Sequence, residues 1–161
     1  MVKVFIILLF VCPLPSYGLT NELKSLESTI ENLGTKVKWS NGHELCKKAN
    51  NIRLYGLYFR NKDIIVMCQG NHKKNYKELI RTLKHEGWHA VQKKCNSNST
   101  VLNRTQIKVG LKQQEVLNLK SLYLGKVTPQ DYELEKEAFV VEKIPSEAWI
   151  RGTKFYCKTK N

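Results

Sequence analysis

Residues 75–95 read NYKELIRTLKHEGWHAVQKKC. Asn75 is a good N-cap residue, and Leu79, Ile80, Leu83, Ala90 and Val91 recur at helical spacing, so a helix is expected from about Tyr76 to Lys94. Within it, His85-Glu86-Gly87-Trp88-His89 is an HExxH sequence. The histidines are slightly more than one helical turn apart, so both imidazoles leave one face and can hold one metal ion. Glu86 stands between them, where its carboxylate can reach a water on that ion and act as general base. Chance alone gives this pattern in about one in a hundred chains of such His and Glu content. Two solvated histidines on a surface helix would be the bland alternative, but the apolar set gives this helix a buried side with His85 and His89 at its edge. His43-Glu44 begins the same way, yet Lys47 stands where the second imidazole would be.

A catalytic zinc usually has three protein ligands and one open position. No histidine follows His89, so the third ligand must be a carboxylate. Candidates cluster between Asp131 and Phe139, in Asp-Tyr-Glu-Leu-Glu-Lys-Glu-Ala-Phe. Most of these acids simply complement the dipole of a helix start.

The chain begins like an exported protein. Lys3 is a small basic region, Val4 to Val11 an apolar run, and Ser16-Tyr17-Gly18 a small-x-small cleavage site, so residues 1–18 are expected to be a signal peptide. That apolar run, followed by Pro13 and Pro15, is too short to span a bilayer, so no transmembrane anchor is expected after signal removal. Residues 19–161 then form one domain. Removing the signal leaves Cys46, Cys68, Cys95 and Cys157. An even count in an exported chain predicts two disulfides, and of the three possible pairings the one favoured is Cys46–Cys68 across a local hairpin with Cys95–Cys157 pinning the C-terminus to the HExxH helix. Asn98-Ser99-Thr100 and Asn103-Arg104-Thr105 are glycosylation sequons.

The net charge of +13 lies wholly before Asp131, since from there the acidic and basic residues balance at six each. Such charge favours anionic surroundings. No arginine-rich run and no basic strand interleaved with aromatics supports nucleic-acid binding, and no dominant basic amphipathic helix supports a membrane-active protein.

Coarse patterning completes the fold. Thr20 can cap a first helix carrying Leu23, Leu26, Ile30 and Leu33, stopped by Gly34, with a loop through Trp39 and Gly42 after it. Ile52–Phe59 and Asp63–Cys68 read as two strands around Arg60-Asn61-Lys62. The polar stretch after Cys95 reads as a loop, and Lys112–Leu124 as a helix. Thr128-Pro129 opens another helix ending before Pro145, and Ser146–Ile150 a short one stopped by Gly152. The expected class is α+β, mainly helical, with an antiparallel hairpin or sheet packed on the HExxH helix.

His85-Glu86-x-x-His89 with Ala90-Val91-Gln92, followed later by Glu135-x-Glu137-Ala138, resembles the zincin metallopeptidases of the gluzincin type. The resemblance covers the two helices. In that family two histidines of one helix and a glutamate of a later helix bind zinc, within a Glu-x-x-Ala-Asp pattern. Aligning Ala138 with the family's alanine implies Glu135 as ligand, while a Glu-Ala reading without the aspartate would select Glu137. Phe139 replaces that aspartate, which normally hydrogen-bonds a ligand histidine. The resemblance also implies that an edge strand, Ile52–Phe59 or Asp63–Cys68, pairs with an extended peptide. The oxyanion donor stays open among Tyr55, Tyr58, His72, Tyr123 and Arg151.

The implied function is a small secreted zinc peptidase with His85, His89 and Glu135 as ligands and Glu86 as base, acting on protein or on peptide crosslinks of a cell envelope. The alternative is a non-catalytic, disulfide-stabilised metal-binding or cell-surface-binding protein on the same scaffold. Glu86 favours the enzyme, because a purely structural site needs no base there.

Overall fold

The computed structural model describes residues 21–47 and 54–158; the expected signal peptide, Thr20 and the start of the strand expected from Ile52 lie outside these. Six α-helices and three strands are seen among the described residues: α1 (Asn21–Glu31), β1 (Lys36–Ser40), β2 (Gly56–Phe59), β3 (Ile64–Cys68), α2 (Tyr76–Asn96), α3 (Arg104–Gly110), α4 (Gln113–Tyr123), α5 (Pro129–Val141) and α6 (Ser146–Lys158). The class is α+β and mainly helical, as the patterning predicts.

Helix α2 is the axis of the molecule. The Asn75 side chain accepts from the Glu78 N–H at 3.2 Å and starts it, while Ser97 in the left-handed region ends it. Thirteen of its residues are buried, Leu79, Leu83 and Trp88 among them, because α1, α5, α6 and the sheet all pack on it. The Trp88 ring meets Trp149 and Tyr156 of α6 edge-on, at 6.1 and 6.2 Å. Gly87 sits inside the motif for a packing reason. A Cβ there would lie 2.7 Å from Ile30 Cδ1 and 3.1 Å from Trp149 Cη2, so α1 and α6 close on the helix only where it has no side chain.

The sheet has the order β1-β3-β2. β2 and β3 are antiparallel, with Gly56 opposite Met67 and Phe59 opposite Ile64. The stretch read as a loop through Trp39 is instead strand β1, parallel to β3 from Lys36/Ile64 to Ser40/Cys68, so the sheet is mixed. Its pairing is supplied by tertiary structure: Asp63 accepts from the Lys36 N–H through its carbonyl, and its carboxylate accepts from Tyr58, Lys93 and Lys94. Those bonds, the one from Lys93 first, hold the Asp63 carboxyl well below the usual range.

Two further elements exceed the expectation. The polar stretch after Cys95 contains α3, closed by a reciprocal capping box between Asn103 and Gln106. Helix α6 runs through Gly152, which costs about 1 kcal/mol relative to alanine. Burial of Trp149 and Thr153 and the anchor at Cys157 outweigh that cost. Both disulfides are paired as expected. Cys46–Cys68 joins the single-turn segment Glu44–Cys46 to the end of β3, rather than closing the hairpin itself. No helix among the described residues is long and apolar enough to cross a membrane.

Candidate metal centre

Helix α2 presents His85 and His89 on the face that α5 covers, and α5 places Glu135 between them. Glu135 Oε2 lies 3.3 Å from His85 Nε2, and Glu135 Oε1 3.3 Å from His89 Nε2. Ligand atoms of the three residues all fall within 4.8 Å of one another, so the group can hold a metal ion. Both imidazoles are buried, and Glu135 is largely covered.

The far nitrogen of each ring is already committed. His85 Nδ1 lies 2.9 Å from Glu142 Oε2, and His89 Nδ1 2.8 Å from Gln92 Oε1. With a proton on each Nδ1, both rings turn the Nε2 lone pair toward Glu135, the tautomer a metal ligand needs. Glu142 is itself bound by Arg81. Gln92 points its oxygen at His89 because its amide nitrogen donates to Glu137 Oε2 at 2.7 Å and to the Leu134 carbonyl at 3.0 Å.

Glu137 lies elsewhere. It is fully buried, and its Oε1 accepts from the Val101 N–H at 2.7 Å and from the Leu102 N–H. It pins the loop after α2 to α5 and reaches the metal group only through Gln92. Phe139 turns its ring edge to His85 at 4.8 Å. The carboxylate that the family pattern would put at 139 comes instead from Glu142, one turn further along.

Electrostatics agree with a cation at this point. Burial opposes charge on His85, but the hydrogen-bonded carboxylates of Glu135 and Glu142 outweigh it and push the imidazole up to about 10. Burial alone would raise Glu135, yet His85 and His89 hold it well below the usual carboxylate range.

Around the group lies a cleft of about 700 Å³ between β2 and the α4–α5 connection, lined by Leu57, Phe59, Glu86, Tyr123 and Val127 among others. Glu86 Oε2 accepts from the Tyr58 N–H at 2.8 Å, which fastens the edge of β2 to α2. Gly56 allows this approach, since a Cβ there would meet Thr82 Cγ2 at 2.8 Å and Glu86 Cγ at 3.2 Å. β3 is flanked on both sides, so among the described residues β2 is an edge strand, and it lines the cleft.

Most of the candidate oxyanion donors are engaged elsewhere. The Tyr58 hydroxyl bonds Asp63 at 2.7 Å. His72 is tied to the Cys68 carbonyl and Thr82. Arg151 is exposed on α6 beside Glu147. Tyr58 and Tyr123 both line the cleft, and with the Tyr58 hydroxyl held by Asp63 it is Tyr123 that stands beside Glu135; burial first, then that carboxylate, raises its pKa and keeps it a donor.

Sequence reasoning missed Glu142 and Gln92, though spacing could have found them. Gln92 is one turn beyond His89, and Glu142 two turns beyond Glu135, each on the ligand's own face. Glu142→Ala should weaken zinc binding about 10- to 100-fold, the usual worth of an outer carboxylate on a ligand histidine, as read by competition with a chromophoric chelator. Unchanged affinity would show that Glu142 serves only Arg81.

No family model, curated protein or solved structure matches the chain. The functional reading therefore rests on the chemistry of the site.

Proposed function

We propose that this chain is an exported zinc-dependent peptidase of the gluzincin type, with His85, His89 and Glu135 as ligands. The observation that carries the proposal is the pair of imidazoles, each oriented through Nδ1 and aimed at one carboxylate, inside a cleft that also holds Glu86. Two nitrogens and one oxygen suit zinc. Each imidazole meets its own oxygen of Glu135 at 3.3 Å, and ligand atoms of the three residues lie within 4.8 Å of one another, close enough for one ion to reach all three. The two disulfides fit a compartment outside the reducing cytosol.

Zinc, when bound, supplies Lewis acidity that brings a water's pKa toward neutrality and polarises the scissile carbonyl. Glu86 takes a proton from water in the cleft and returns it to the leaving nitrogen. Tyr123 donates to the carbonyl oxygen as negative charge develops there. The edge of β2 pairs with the extended substrate, a protein or a cell-envelope peptide.

A second reading has its own observation. Because Glu86 bonds the Tyr58 N–H, a glutamate at this position has a structural use even in a non-catalytic metal-binding protein, so its presence is weaker evidence for catalysis than the motif alone implies.

The test is chelation and reconstitution. Purified protein should take up one zinc per chain, and hydrolysis of an unfolded labelled polypeptide should fall at least about 100-fold on stripping and return with zinc. A chain that takes up no zinc would refute the metal site. One that binds zinc and cuts nothing would establish the second reading.

A further inference from the structure

We infer that the site acts on bonds inside a polypeptide rather than at its ends; this rests on the peptidase reading above. The cleft described so far is one half of a longer groove. A second hollow of about 200 Å³ meets it at Gly56, His85, Glu86 and Tyr123. The larger hollow follows β2 forward to the turn at Arg60, Asn61 and Lys62 and follows α2 to His89. Leu54 and Gly56 line both hollows on the strand side, and the smaller runs the opposite way along α2, to Glu78 and Arg81. His85 and Glu86 therefore sit where the two halves join, with His89 and Glu135 inside the larger one, and both halves open to solvent. A chain lying along β2 has room on each side of the bond that is cut.

The charges at the two ends point the same way. An enzyme that selects a terminus must hold an α-carboxylate with an uncommitted cation, or an α-ammonium with an uncommitted carboxylate. Here Arg60 is paired with Asp131 at 3.0 Å in the forward half. In the other half Arg81 is paired with Glu142 and, at 3.6 Å, with Glu78. Lys62 is exposed, where water screens it. At the centre, Glu135 and Glu142 face the imidazoles and Glu86 holds the Tyr58 N–H. Among the described residues the walls also hold Leu57, Phe59, Val127 and Phe139, which take neutral side chains on either side of the bond.

The experiment compares two random peptide libraries of about ten residues, long enough at roughly 3.3 Å per residue to overrun the groove. One is acetylated and amidated, the other has free ends. Zinc-loaded protein should cut both with kcat/KM within about threefold, at interior bonds read by mass spectrometry. In the zinc-loaded Glu86→Gln variant, anisotropy should give both libraries dissociation constants within about threefold of each other. Cleavage or binding confined to peptides with a free end, or release of residues one at a time, overturns the inference and leaves the peptidase reading standing. Hydrolysis of neither library by zinc-loaded protein refutes the peptidase reading, and this inference with it.

Discussion

Glu86→Gln should lower kcat of the zinc-loaded protein by about 10³-fold, within the range that a positioned general base supplies. Zinc content should stay at one ion per chain. The substitution is chosen because Gln keeps the group that matters for the fold. Its carbonyl oxygen can still accept from the Tyr58 N–H, a bond now made at 2.8 Å, so the β2 edge stays fastened to α2. What it removes is proton affinity, since an amide oxygen does not take a proton from water near neutral pH. Glu86→Ala is the contrasting control. It would remove the acceptor as well and leave a buried N–H without a partner, costing about 1–3 kcal/mol of stability. If the Gln variant keeps activity within tenfold of wild type, Glu86 is no base and its bond to Tyr58 is its whole purpose.

The parts of this protein that were legible in the sequence are those set by local chemistry. Asn75 and the apolar spacing define α2, Thr128-Pro129 defines the start of α5, and β-branched and aromatic runs define the β2–β3 hairpin. The even cysteine count announced two disulfides, while the choice among three pairings was decided by the fold. What was not legible depends on distant partners. The alternation in Lys36–Ser40 is too short to announce a strand, and β1 exists because β3 offers it an edge. Gly152 is a reasonable helix stop until Trp149 and Cys157 bind α6 to α2. The candidate site shows the same division. His85, Glu86 and His89 are a local motif, whereas spacing marks Glu142 only as sharing Glu135's face, and its part at His85 Nδ1 appears once α5 lies across α2. Phe139 packs against His85, and the carboxylate on His85 Nδ1 comes from Glu142.

Glu135 and Glu137 give the sharpest separation of site from scaffold. They are two positions apart on one helix, so they point in different directions and should fail in different ways. Glu135→Ala should reduce zinc affinity at least 100-fold, more than loss of an outer partner would. Because Glu135 meets the described site through the two imidazoles and Tyr123, the variant should remain folded, with a near-native circular dichroism spectrum. Glu137→Ala should do the reverse. It strips the acceptor from the Val101 and Leu102 N–H groups and from the Gln92 amide, all in the interior. At about 1–3 kcal/mol for each orphaned donor, partly relieved by relaxation, the loss is about 3–5 kcal/mol, or a melting temperature lower by about 10 °C. Its effect on zinc should be smaller and indirect, through a Gln92 no longer held toward His89. Measured at a temperature where both variants are folded, the Glu135 protein should lose the metal and the Glu137 protein should keep it. The opposite outcome would move the third ligand to Glu137 and require α5 to turn by nearly half a circle about its axis. That rotation would expel Leu134 and Ala138 from the core, so it would register as a change of fold as well as of ligand.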